Sequence, residues 1–304
     1  MNPRPLAIGA VLAGFVAAGA IGCADILGAR FDDATPAGPD AGGATDAPSG
    51  PEAGGGDASN VDPRKVEHLE LWLAADFGVS ETGPDAGGHP DAQIAPANGV
   101  ALWEDRSGRT HTAFATDPTK RPLLLRDAAP LPVLAFDRAR QTCLANTWTG
   151  AGVPPGLTFF VVSRGNATNV LRFGPLGTIA FPWDSNYGRP AAEPLLHLLV
   201  ATGPSARETP QLGGDTNTWE LLSARLVPRE VGGLRTYRHG VLAEQRSWTG
   251  AELPSLDALT IGCAGLLDEF ATALVGEVLV YTAALPDSDR QRIEGYLRAK
   301  WQMR

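Results

Sequence analysis

Past residue 63 the sequence has a rhythm that few folds can satisfy. Short apolar, β-branched runs recur at near-regular intervals, at 69–73, 111–116, 131–136, 156–163, 169–173, 219–227, 234–239, 259–263 and 274–281, divided by clusters of turn formers. Many short strands so spaced predict an all-β sandwich or barrel. Several runs alternate, as in Leu234-Arg-Thr-Tyr-Arg-His239, so one face points to a core and the other to water. Arg238-His239-Gly240 predicts a tight hairpin turn, since Gly and, less readily, His tolerate positive φ. After Pro286 the period changes. Asp287 or Ser288 is placed to cap a helix in which Ile293, Tyr296, Leu297 and Trp301 recur at helical spacing, a stripe that would pack on the sandwich.

The first sixty residues obey different rules. Arg4 precedes an uncharged run over 6–22, the core of a signal peptide over 1–22. Ala20-Ile21-Gly22-Cys23 resembles the bacterial lipobox, with Ala20 where Leu is usual. The resemblance implies a lipid anchor on Cys23 and a membrane-anchored protein at the cell surface or in the periplasm. Ala18-Gly19-Ala20 also fits ordinary cleavage, so a soluble secreted product is the alternative. Residues 32–62 carry seven acidic residues and no Lys or Arg, in a background of Ala, Gly, Pro, Ser and Thr. Such a segment buries too little apolar surface to offset its ordering entropy, so 23–62 reads as a disordered acidic linker and 63–304 as the folded domain.

That domain holds 26 acidic against 23 basic residues, which leaves no electrostatic footprint for nucleic acid. With Cys23 acylated, Cys143 and Cys263 remain as an even pair in an oxidising compartment. A disulfide and two buried thiols both stay open.

A family resemblance rests on several segments in order. Leu69-Glu-Leu-Trp-Leu-Ala-Ala-Asp76, Val100-Ala-Leu-Trp-Glu-Asp-Arg-Ser-Gly108, Arg121-Pro122 and Leu131-Pro-Val-Leu-Ala-Phe-Asp137 resemble the opening of concanavalin A-like, LamG-type jelly-roll domains. Tyr237-Arg-His-Gly-Val241 is similar to the family's hairpin, and Val275-Gly-Glu-Val-Leu-Val-Tyr-Thr-Ala-Ala-Leu285, with the helix to Trp301, to its close. The resemblance spans about 67–302 and implies a concanavalin A-like antiparallel β-sandwich, or jelly roll, with a short C-terminal α-helix and its first and last strands close together. Residues 174–215 resemble the family least.

No catalytic pattern accompanies it. The Glu-x-Asp-x-x-Glu of similar glycosidases, which sets alternate carboxylates on one strand face, is absent. Glu104 with Asp105 and Asp268 with Glu269 are neighbours that would point to opposite faces, and Glu277 stands alone among apolar residues. No nucleophile elbow, zincin helix or phosphate loop occurs. His68, His89, His111, His197 and His239 lack metal-ligand spacing and read as surface or turn residues.

Binding fits better. Phe181-Pro-Trp-Asp-Ser-Asn-Tyr187 offers Trp183, Asp184, Asn186 and Tyr187, flat aromatic faces beside planar polar groups suited to a sugar; the competing reading is a buried lid. No cofactor is expected, with Ca²⁺ as the alternative: Asp76, Asp105 and Asp137 offer oxygens for it, although turn capping is the commoner use of such Asp residues. Trp148-Thr-Gly-Ala and Trp248-Thr-Gly-Ala are identical, with nothing else repeated around them. The expectation is an exported protein that binds a glycan or envelope protein without transforming it. A glycoside hydrolase of the same fold and a purely structural envelope module are the alternatives.

Overall fold

The computed structural model describes residues 61–81, 99–148, 152–166, 170–173, 179–184, 196–201, 207–208, 218–248, 253, 256, 258–263 and 270–303, all within the compact unit Gly54–Arg304. The signal peptide, Cys23 and the expected acidic linker up to residue 60 lie outside these residues; Val61 and Asp62, counted with the linker, belong to the folded unit, Val61 packing on the outer apolar cluster and Asp62 capping the 3₁₀ turn Pro63–Lys65.

Strands dominate. In chain order they are β1 (Leu69–Ala74), β2 (Val79–Ser80), β3 (Leu102–Trp103), β4 (Ala113–Phe114), β5 (Leu123–Leu125), β6 (Val133–Phe136), β7 (Leu144–Thr147), β8 (Leu157–Asn166) and β9 (Leu171–Phe173). There follow β10 (Ile179–Asp184), β11 (Leu196–Ala201), β12 (Arg207–Glu208), β13 (Glu220–Leu226), β14 (Leu234–Arg238), β15 (Val241–Arg246), β16 (Ala258–Ile261) and β17 (Thr272–Tyr281), then the helix α1 (Asp287–Lys300). One sheet runs β15-β14-β13-β8-β17-β6-β5, with β1 paired to β17; the other runs β12-β11-β10-β9-β16-β7-β4-β3-β2. Every strand pairing is antiparallel, so the chain is an all-β, two-layer antiparallel sandwich with one C-terminal helix.

The central strands read as continuous apolar runs because both their faces are covered. Along β8, Phe159 and Val161 face the second sheet while Phe160 and Val162 face α1. β17 repeats this, with Val278 and Val280 inward and Leu279 and Tyr281 outward. Between the sheets Phe159 stacks on Phe173 at 5.4 Å, and Trp148 lies 5.3 Å from Phe173. The two matching tetrapeptides share a packing role: Trp148 and Trp248 are both buried in this inner core. Outside the first sheet, Ile293, Leu297 and Trp301 of the helical stripe pack on Trp72, Phe160 and Leu279, and Tyr296 packs at the margin.

The β14–β15 hairpin turns at His239 (φ 51) and Gly240 (φ 85), both in the left-handed region that a two-residue turn requires. The helix start differs from expectation. Pro286 is the N-cap and no side chain caps it, because the Asp287 carboxylate accepts from Arg290 Nε at 3.1 Å instead.

β17 changes partners along one edge. Ala273, Leu274 and Val275 pair with β6, whereas residues from Glu277 onward pair with β1, and the register breaks between Val275 and Glu277. Gly276 occupies the break, and a Cβ there would overlap the Trp301 ring. Cys143 and Cys263, on segments brought together by the β7–β16 ladder, are joined by a disulfide with Cα atoms 5.4 Å apart. Among the described residues no helix is long and apolar enough to cross a membrane.

Candidate functional site

β1 has β17 on one side, and its other edge is met by an irregular segment, residues 104–111. Glu104 N donates to Gly78 O at 2.8 Å, Arg106 N to Trp72 O at 2.7 Å, and Ser107 Oγ to Glu70 O at 3.1 Å. Asp105 makes this segment behave as a strand surrogate. Its Oδ1 accepts from Trp72 N and Ser107 N, both at 2.9 Å, and its Oδ2 from Ser107 Oγ at 2.7 Å and His111 N at 3.0 Å. A short Asp with Ser two residues on suits such local bonding.

At the start of β1 the segment borders an open groove of about 460 Å³, lined by Arg64, His68, Leu69, Ser107, Gly108 and Arg109 among others. Three residues around it have left-handed backbone: His68 (φ 68), Gly108 (φ 88) and Thr110 (φ 64). For a β-branched Thr that is a true outlier, and such strain concentrates at functional sites. Arg64 forks onto Asp62 through Nε at 3.0 Å and Nη2 at 2.9 Å, and these hydrogen bonds hold the Asp62 carboxyl below its usual range. Arg109 is 60% exposed, its Nε 3.9 Å from Glu70 Oε2. Behind it His111 Nε2 meets Glu70 Oε1 at 2.9 Å and rests its ring on Trp148 at 4.5 Å. His111 is therefore a half-buried positioning group, where a surface or turn role was expected.

At the far end of β1 the Arg106 guanidinium lies 4.3 Å from the Trp72 ring centroid and 5.1 Å from that of Phe77. Phe77 is 42% exposed, an aromatic surface backed by a planar cation. Six strand residues separate the two ends, about 20 Å at strand rise. The edge thus offers a linear strip with guanidinium, imidazole and hydroxyl groups at one end and an exposed ring at the other.

The sequence-derived candidates fall elsewhere. Trp183 and Asp184 are the last residues of the β10 backbone, and Asn186 and Tyr187 lie outside the described residues. Asp76 accepts from Lys300 Nζ at 3.0 Å, and Asp137 Oδ1 accepts from Ala139 N at 2.8 Å, capping its turn. Asp76, Asp105 and Asp137 are not brought together: among the described residues no three His, Cys, Asp or Glu are grouped to hold a metal.

Two buried carboxylates are committed to structure. Glu277, fully buried, takes Trp72 Nε1 (2.7 Å) and Tyr296 OH (3.1 Å) on Oε1, and Trp301 Nε1 (2.8 Å) and Lys300 Nζ (2.9 Å) on Oε2. Glu220 receives Arg238 Nε at 2.8 Å and pairs with His239 Nε2 at 2.8 Å. Burial acts to raise its pKa, but the hydrogen bonds and charges of His239 and Arg238 prevail and bring it to about 2.

No protein-family model matches the chain, and no curated protein matches it. Among solved structures it is similar to the binding domain of botulinum neurotoxin DC in complex with rat synaptotagmin II, with 10% identity, a TM-score of 0.50, 78% of this chain covered and 52% of that one. It is similar also to a structure of botulinum neurotoxin type C, which depends on interaction with two ganglioside molecules to enter cells (10% identity, TM-score 0.50, 76% and 51% covered). The binding domain of Paraclostridial Mosquitocidal Protein 1 shares 9% identity at a TM-score of 0.50, with 77% and 52% covered. The chain thus spans about half the length of each. At such identity the likeness shows the sandwich fold and nothing finer.

Proposed function

We propose that this chain is an exported protein, anchored by lipid on Cys23 and held off the membrane by residues 23–62, whose LamG-type, concanavalin A-like jelly roll binds a carbohydrate or an envelope protein without transforming it. The β1 edge strip carries the reading. It joins an open polar groove to an exposed aromatic ring on a rigid strand, the combination of oriented polar groups and flat apolar surface by which sugars are held. Two of its carboxylates are unavailable for hydrolysis, while Glu67 on the groove rim is exposed. Asp105 and Glu70 are spent on positioning bonds, where a glycosidase needs an acid paired with a second free carboxylate. The partners of the similar structures, gangliosides in one and rat synaptotagmin II in another, agree in kind with this reading. The sequence from Trp183 to Tyr187 is proposed as a second contributor, on its residue types alone.

The test is a glycan-array screen of the full chain with Phe77→Ala and Arg109→Ala. We expect binding that falls roughly tenfold for either variant, the effect of about 1.4 kcal/mol, with no release of reducing sugar. Reducing-sugar release abolished by a carboxylate substitution would turn the reading to a glycoside hydrolase. Silence on glycans, with capture of no partner by crosslinking at the cell envelope, would leave a structural module. Loss of detergent partitioning on Cys23→Ala tests the anchor.

A further inference from the structure

Where α1 ends against the β1–β2 turn, one lysine stands between two carboxylates. Lys300 Nζ lies 3.0 Å from Asp76 Oδ1 and 2.9 Å from Glu277 Oε2. The side chains of Lys300, Asp76 and Glu277 are 14%, 26% and 0% exposed; Trp72, Tyr296 and Trp301 enclose Glu277, and Asp76 lies on the solvent side. This is not the usual exposed one-to-one pair. It holds two anions against one cation, and Glu277 keeps three neutral donors of its own, Trp72 Nε1, Tyr296 OH and Trp301 Nε1, so it can stay buried and satisfied if the ammonium charge disappears.

We propose that Lys300 and Asp76 condense to an intramolecular isopeptide bond, with Glu277 as the proton carrier. The ammonium passes a proton to Glu277, and the neutral amine attacks Asp76 Cγ. A C–N bond forms. One Asp76 oxygen leaves as water, taking by way of Glu277 two protons that began on nitrogen, and nothing is oxidised or reduced. The product is an amide whose N–H still faces Glu277 Oε2. The reaction removes one ammonium and one carboxylate from a half-dry site. The fold holds nucleophile and electrophile in contact, so the reaction draws on the effective concentrations of well-oriented intramolecular pairs, about 10⁵ M or more. The bond would tie the turn after β1 covalently to the end of α1.

The experiment is tryptic digestion of the reduced full chain with mass spectrometry. Trypsin should release residues 66–106, which contain Asp76, and cut after Lys300. With the bond present that cut is blocked, and 66–106 appears joined to 299–304 at the sum of their masses less one water. Lys300→Arg keeps the charge and should yield only free segments, as should Asp76→Ala. Glu277→Gln retains both reacting groups and should lose the conjugate. Recovery of only free segments from the wild-type chain overturns the proposal, whatever the variants do. A conjugate that survives Glu277→Gln overturns the role given to Glu277.

Discussion

Trp301 Nε1 donates to Glu277 Oε2 at 2.8 Å, so the residue that ends the terminal helix is tied to a carboxylate in the middle of the first sheet. Trp72 Nε1 reaches the other oxygen of the same carboxylate from β1 at 2.7 Å. The first strand thus shares one buried anion with the last strand and the helix that follows it.

Removing that anion strands its donors. Glu277→Ala should cost about 3–5 kcal/mol, the usual loss when one member of a buried charged network is deleted. Trp301→Phe, which loses one hydrogen bond to a charged group, should cost about 1.5–3 kcal/mol. Urea unfolding followed by circular dichroism measures both, and equal losses would show that Glu277 is no hub.

Gly276→Ala tests the close approach of helix to sheet. A methyl group there meets the Trp301 ring, and the overpacking should destabilise the chain by about 1–3 kcal/mol. The double variant Gly276→Ala with Trp301→Ala should cost less than the sum of the two single changes, because the overlap vanishes with the ring.

The disulfide closes a loop with a sequence separation of 120 residues. In the chain-entropy model Cys143→Ser with Cys263→Ser should lower stability by about 4–5 kcal/mol at most. The change would read as a lower Tm under oxidising conditions, and the wild-type chain with reductant should show a similar drop.

Stability should also fall in acid through Glu220. Its folded pKa of about 2 lies below the ordinary value of 4.5, so the native state binds fewer protons than the unfolded one between these values. The contribution is complete above about pH 4.5 and is lost as pH falls towards 2. Glu220→Gln should flatten the urea midpoint against pH across that window, and an unchanged slope would refute the assignment.

Strands with two-faced burial were the legible part of this fold. All nine apolar runs contain strands, from β1 at 69–73 to β17 at 274–281, because the core requirement is written residue by residue. β15 escaped notice since Val241-Leu-Ala-Glu-Gln-Arg246 is a mostly exposed edge strand with no alternation to read. β10 and β11 lie within 174–215, where the sequence offered no clear run to read. The β1 edge strip was not legible, because Arg64 and Arg109 at one end and Phe77 and Arg106 at the other line one strand only once β1 is paired and Asp105 has pinned its loop. One signal was present: Asp105 followed by Ser107 and Gly108 marks a side-chain-bonded turn. Glu277 was conspicuous as the single charge in an apolar strand. Such a strand has no wet face, so a charge within it must find buried donors, but the sequence does not say that they come from Trp72, Tyr296, Lys300 and Trp301.

The exchange of partners along β17 bears on when this molecule can assemble. β1 has β17 as its one strand partner among the described residues, and β17 also lies between β6 and β8; its Glu277 follows Trp72 by 205 positions. Pairings so remote make folding slow. During synthesis β1 therefore has no strand to pair with until β17 emerges, and a nascent chain halted before residue 272 should remain open to proteolysis. Residues 69–281 must all emerge before the first sheet can close, so its closure comes late in synthesis.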